Sequence, residues 1–160
     1  MSNTKTMALI ATRGTLDWAY PPFILASTAA ALGYDVRVFF TFYGLQLLRK
    51  KLDLKVSPLG NPGMPMPLGM HKWFPVLGTA IPGMERVMTA MMKSKMKAKG
   101  IASVEELRDV CLESGVKLIA CTMTLDLFDF SRADLIDGIE YGGAAMFLGF
   151  AGDADVSLFV

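Results

Sequence analysis

Apolar runs alternate with helically spaced stripes along the whole chain. Met7 to Ala11 is a continuous apolar run halted at Arg13 and Gly14, and Leu16 to Leu32 carries helical spacing that stops at Gly33. Val36 to Phe40, β-branched and aromatic, predicts a second strand, and Tyr43 to Lys51 continues with helical character. Two consecutive strands joined through a helix predict a parallel β-α-β unit. Ser103 followed by Glu106 is a capping-box pattern that opens another helix, and Gly115 closes it. The run Val116 to Ala120 then predicts a buried strand ending at Cys121. After it come a helix over about Ser131 to Asp137, a short strand Gly138 to Tyr141, a small-residue helix opening at Gly142 and Gly143, and a last strand Val156 to Val160. This order predicts an α/β fold of one domain, an open, doubly wound parallel sheet with helices on both faces.

One interval breaks the rhythm. Ser57 to Pro82 holds six prolines with glycines between them and cannot sustain a regular element, so it reads as an inserted loop, a candidate lid or partner surface. Met84 to Lys97 follows as a helix, with Met84, Val87, Met88, Met91 and Met92 on one stripe and lysines gathering at its end. The domain therefore spans 1–160 with an insertion, loop plus methionine-rich helix, at about 57–99. Methionine-rich surface adapts to partners, and Lys93, Lys95, Lys97 and Lys99 form either a positive rim to it or an ordinary solvated face.

Composition narrows the function. The 160 residues are 52% hydrophobic and 19% charged, with mean hydropathy +0.40, more apolar surface than a monomer of this size needs, which points to a homo-oligomer. A net charge of +1 argues against the broad basic field of a nucleic-acid binder. The N-terminal residues lack the apolar core of a signal peptide, so a cytoplasmic location is expected. Trp73 to Met84 is broken by Pro75 and Pro82 and falls short of the roughly 20 residues that span a bilayer, which leaves at most a peripheral membrane contact. Two cysteines in a reducing compartment suggest catalysis or plain burial before a structural disulfide.

Cys121 is the candidate reactive residue. Ligands of open parallel sheets gather at the carboxyl ends of the strands, where this thiol is expected together with Arg13, Gly14, Thr122, Gly142 and Gly143. Backbone N–H groups or Arg13 beside the sulfur would favour its thiolate. The plain alternative is an inert core thiol, since free cysteine is among the most buried residue types. Cys111 falls with Val104, Leu107 and Ser114 on the inward face of its helix and reads as core. Helix and strand rises put the two cysteines roughly 10 Å apart along the sheet, beyond the reach of a disulfide.

Other signals are weaker. Arg13, Gly14 and Thr15 lack the spaced glycines of a dinucleotide fingerprint, and no phosphate-binding P-loop occurs, so no cofactor is expected. Gly142 and Gly143 either present amides to an anion or allow tight helix packing. His71 is the single histidine, so a His-based metal cluster is not available, and Asp126 reads as a helix cap.

Val116 to Phe128, with Cys121 at a strand end, resembles the cysteine motif of the DsrE/DsrF-like sulfurtransferase family. The resemblance extends to Leu135 to Ala145 and to the first strand with its Arg13-Gly14 turn. It implies a flavodoxin-like α/β subunit that forms homo-oligomers, carries sulfane sulfur as a cysteine persulfide, and exchanges it with small TusA-like carriers or rhodaneses. The sulfur-accepting role then falls on Cys121, and Cys111 resembles a cysteine of the closest subgroup. No metal or organic cofactor is implied. A non-catalytic module that docks a protein through the methionine-rich helix and loop is the rival reading.

Overall fold

Strand β1 (Thr6–Ala11) forms where the first apolar run begins, α1 (Leu16–Ala31) follows, and β2 (Asp35–Phe40) returns parallel to β1 with Thr6 beside Asp35 and Ala11 beside Phe40. This is a computed structural model, and it describes residues 4–57 and 81–160. A 3-10 helix (Phe42–Leu48) succeeds β2, then α2 (Met84–Ala98), α3 (Val104–Glu113), β3 (Lys117–Cys121), α4 (Thr122–Leu127), a 3-10 turn (Arg132–Asp134), β4 (Glu140–Gly142), α5 (Ala144–Ala151) and β5 (Val156–Phe159). The five strands are all parallel in the order β4-β3-β2-β1-β5. Crossovers step one way from β1 to β4, and β5 returns to the far edge beside β1.

Period-two alternation sends side chains to two separate cores. On one face Ala19, Phe23 and Ala26 of α1 are fully buried at helical spacing, and Phe23 stacks on Phe40 of β2 at 5.6 Å. On the other, Ala8, Phe39, Ile119 and Cys121 pack with Phe147 of α5, whose ring stacks on Phe39 at 5.1 Å. Helix α3 starts as its sequence predicts: the Ser103 hydroxyl accepts from the Glu106 amide at 3.1 Å while the Glu106 carboxylate accepts from the Ser103 amide at 2.7 Å. Its inward face differs in two places: Ser114, expected on it, is the exposed C-cap, and Arg108 joins Val104 and Cys111 in the interior, where it donates to the carbonyls of Leu47 (3.0 Å) and Arg49 (2.8 Å). Those carbonyls end the first 3-10 helix, which sits so close to β1 that a side chain at Gly44 would strike the Ala11 carbonyl.

The structure divides into two compact units. The described parts of Met1–Gly14, Trp18–Asp53 and Ser103–Val160 form the sheet unit, and Thr15–Asp17 with the described parts of Leu54–Ala102 form the other. In this second unit the Leu16 amide donates to the Lys55 carbonyl at 2.8 Å, Lys55 pairs with Glu85 at 3.2 Å, and the Val56 amide donates to the buried Thr89 hydroxyl at 3.1 Å. Thr89 thereby sets the covered side of α2, so the expected stripe is rotated: Met88 and Met92 are half-buried, whereas Val87 (54%) and Met91 (47%) are exposed. The proline-rich loop and His71 lie largely outside the described residues.

Two further expectations are corrected. Tyr43 to Lys51 is a 3-10 helix over Phe42–Leu48. The helix expected over Ser131 to Asp137 is only the turn Arg132–Asp134, because the backbone beyond it is engaged elsewhere: Leu135 bridges antiparallel to Arg49, the Lys50 amide donates to Asp134, and the Ile136 amide donates to Leu48.

Candidate functional site

The carboxyl ends of β2, β3 and β4 form one row. Phe40 pairs with Ala120 and Cys121 with Gly142, so Cys121 stands between Gly142 of β4 and Thr41, one residue past β2. Cys121 closes β3 and is also the N-cap of α4, with extended backbone at φ −67° and ψ 115°. The chain thus turns from strand to helix at the sulfur, and its next amides face back toward it.

Two hydroxyls complete this surround. Thr124 is fully buried; its Oγ1 accepts from the Phe42 amide at 3.1 Å and lies 3.1 Å from Thr41 Oγ1. Phe42 itself has φ +48°, a left-handed conformation uncommon for a bulky residue, and the Thr124 bond helps to hold it. Burial pushes the Cys121 thiol up and is the largest single influence, but the Thr124 hydroxyl and amide, the Thr41 hydroxyl and the Met123 amide together outweigh it. The thiol is held below its ordinary value. Its sulfur makes no closed capping bond with the helix amides, so these groups act on it at longer range, and a full negative charge would draw them in.

The thiol is not open, as its place at the strand end suggested. Cys121 is 3% exposed because its side chain points to the face that α5 covers, under Phe147. Gly142, expected to line the site, pairs with Cys121 across β3 and β4, and a Cβ there would lie 2.5 Å from the Met146 sulfur. Gly143 is the extended N-cap of α5, with open space where its side chain would be. Thr122 opens α4 half-buried, while its second neighbour Thr124 carries the hydroxyl contacts. Asp126, expected as a cap, lies inside α4 on its exposed side.

Arg13 and Gly14 follow β1, two strands away from β3, at about 4.8 Å per strand. The Arg13 guanidinium is stacked over Trp18 at 3.8 Å, and a side chain at Gly14 would strike the Tyr43 carbonyl. Cys111 is fully buried on the opposite face of the sheet, where its thiol donates to the Phe23 carbonyl at 3.5 Å. Burial pushes it up to about 11, with the Ser27 amide offsetting a small part. Both cysteines are free, on separate sides of one sheet.

This contrast makes a measurable difference. Alkylation at neutral pH should modify Cys121 alone in the folded chain and both cysteines after unfolding; equal native labelling of Cys111 would contradict the geometry. Between about pH 8.5 and 11 an unfolded chain sheds a Cys111 proton that the folded chain keeps, so stability should fall as pH rises through that window. A Cys111→Ala chain should lose that slope.

The residues that sequence reading missed are Thr41, Thr124 and Met146. Among the described residues, no group of three or more His, Cys, Asp and Glu side chains could hold a metal ion, and no helix is long and apolar enough to cross a membrane.

A sequence model of the DsrE/DsrF/DrsH-like family matches residues 3–159. The chain is 70% identical over 156 residues to the sulfur carrier protein DsrE2 of Allochromatium vinosum, covering 98% of each chain. It is 34% identical over 160 residues to the uncharacterized protein YrkE of Bacillus subtilis, again covering 98% of each. The crystal structure of the ychN protein from E. coli superposes with TM-score 0.60 over 99% of this chain and all of that one; at 13% identity this speaks for the fold alone.

Proposed function

The chain belongs to the DsrE/DsrF/DrsH-like family, and from that membership we propose that it is a sulfur carrier whose Cys121 accepts and donates sulfane sulfur as a persulfide. The observation that carries the reading is the strand-end thiol held toward its anion by two threonine hydroxyls and two amides, with no histidine or cation required. The relative named a sulfur carrier shares seven residues in ten across almost the whole chain. A thiolate is the attacking species in sulfur exchange, and the same donors stabilise the persulfide anion that results.

The step balances without an external oxidant. The Cys121 thiolate attacks the sulfane sulfur of a donor persulfide, the new S–S bond forms as the donor's S–S bond breaks, and the donor leaves as a thiol carrying the proton. Cys121 is left as a persulfide anion. A second thiolate attacking the outer sulfur reverses the roles and regenerates Cys121. The exchange partner, giving or taking the sulfur, is a small sulfur-carrier protein of the TusA-like or rhodanese-like kind, in a reducing cytoplasm. Exposed Leu148 (61%) and Phe159 (72%), on α5 and the edge strand β5, support assembly with further copies.

The test is loading from inorganic polysulfide. Wild type and Cys111→Ala should each gain one sulfur atom per chain, and Cys121→Ser should gain none. Equal loading of Cys121→Ser would remove the proposed site. The rival reading, a docking module with an inert Cys121, draws on the covered thiol and on exposed Val87 and Met91; it predicts no loading of any variant.

A further inference from the structure

Gly142 leaves a vacancy in the row of side chains beside Cys121, and one methionine fills it. Paired residues of parallel strands project to the same face, so a side chain at 142 would stand next to that of Cys121, one strand spacing or about 4.8 Å away. The place is taken from above. The Met146 sulfur lies 2.5 Å, its methyl 3.1 Å and its Cβ 3.5 Å from where a Cβ would sit, all three side-chain atoms. Met146 is the third residue of α5 and is 43% exposed, so its flexible end bridges the sheet edge and solvent. Phe147, the next residue, is 2% exposed and anchors the helix on Phe39.

A persulfide needs this volume. Its outer sulfur stands about 2 Å beyond Sγ, and the buried flanks of Cys121 offer Ile119 of β3 and Phe147 of α5 in the core and the Thr41–Thr124 pair elsewhere. The Gly142 side is the one lined by the end of an unbranched, partly exposed side chain. We infer that the slot above Gly142 is the seat of the outer, transferable sulfur atom, and that the Met146 thioether occupies this seat in the unloaded chain and swings toward solvent when Cys121 is loaded.

The inference rests on the persulfide reading of Cys121 and explains how a thiol only 3% exposed takes part in exchange. The moving part is a side chain with three rotatable bonds, so no strand or helix has to shift.

The experiment compares wild type, Met146→Ala, Met146→Leu and Gly142→Ala during loading from inorganic polysulfide and unloading by cyanide, which takes the outer sulfur as thiocyanate and returns the thiolate. An alanine Cβ at 142 would crowd only the sulfur and methyl of Met146, meets its Cβ at an ordinary 3.5 Å and needs no left-handed backbone, so Gly142→Ala should keep the wild-type melting curve. With its seat filled, it should load roughly five- to tenfold more slowly and lose its sulfur faster. Met146→Ala, with the seat vacant and uncovered, should load and unload faster by a similar factor, and Met146→Leu should return toward wild type. If Met146→Ala exchanges sulfur at the wild-type rate, the seat and its occupant are wrong even should Gly142→Ala fail to fold. If wild type itself takes no sulfur, it is the persulfide reading that fails.

Discussion

Arg108→Ala should destabilise the sheet unit by about 3–5 kcal/mol, the cost of removing a buried charge that satisfies two carbonyls. Arg108 is 5% exposed and one of its terminal nitrogens donates to Leu47 and to Arg49 at 3.0 and 2.8 Å. These carbonyls lie at the end of the 3-10 helix, where backbone acceptors otherwise run out of partners. The residue therefore ties α3 to the segment whose other end begins at Thr41, beside Cys121. Arg108→Lys keeps the charge but has a single ammonium in place of the planar fork and should recover only part of the loss. Urea unfolding with an unchanged slope checks the value. A loss under about 1 kcal/mol would mean that the two carbonyls find other donors.

Thr124→Val should separate the chemistry of the site from its fold. The substitution keeps the branched shape, but the Phe42 amide loses its acceptor and Thr41 loses its hydroxyl neighbour, at a cost of about 1–2 kcal/mol. The same change strips Cys121 of the foremost group that lowers it, so burial, which pushes the thiol up, meets less opposition. The pH at which alkylation becomes half-maximal should move upward, and the rate at neutral pH should fall. Thr124→Ser retains the hydroxyl and should restore the wild-type profile. A profile unmoved in Thr124→Val, with stability reduced, would leave Thr124 a structural residue only.

Much of the sheet is legible in the chain because its strands are central. β1, β2 and β3 lie inside the sheet and therefore appear as largely apolar runs, Met7 to Ala11, Val36 to Phe40 interrupted only by Arg37, and Val116 to Ala120 interrupted only by Lys117. α3 announces itself through the reciprocal Ser103 and Glu106 bonds, which are local in sequence. The failures are elements governed by distant partners. The stretch after Ser131 has local helical character, yet pairing with Arg49 and Leu48 draws its backbone away. α4 is six residues long and is capped by a cysteine, which carries none of the usual capping signals. α2 is rotated by one buried threonine hydroxyl that meets the Val56 amide.

The site divides in the same way. Cys121 and Gly142 could be placed at one sheet edge because the first ends a predicted strand and the second directly follows another. Thr41 could not, since it lies 83 residues before Thr124 and becomes its neighbour only through the β2–β3 pairing. Knowing that β2 and β3 are adjacent would have pointed to it, as the first polar residue after the run ending at Phe40. Arg13 seemed a fitting cation for a thiolate, but two strand spacings and the Trp18 ring separate its role from the sulfur in the structure.

The central claim is that an ionised Cys121 is where this chain takes up sulfur, and peptide mapping of the wild-type protein after polysulfide treatment tests it most directly. The account predicts one extra sulfur atom, on the peptide containing Cys121, removed by reductant and absent from the Cys111 peptide. Sulfur on Cys111, or a chain that emerges with its mass unchanged, would contradict it.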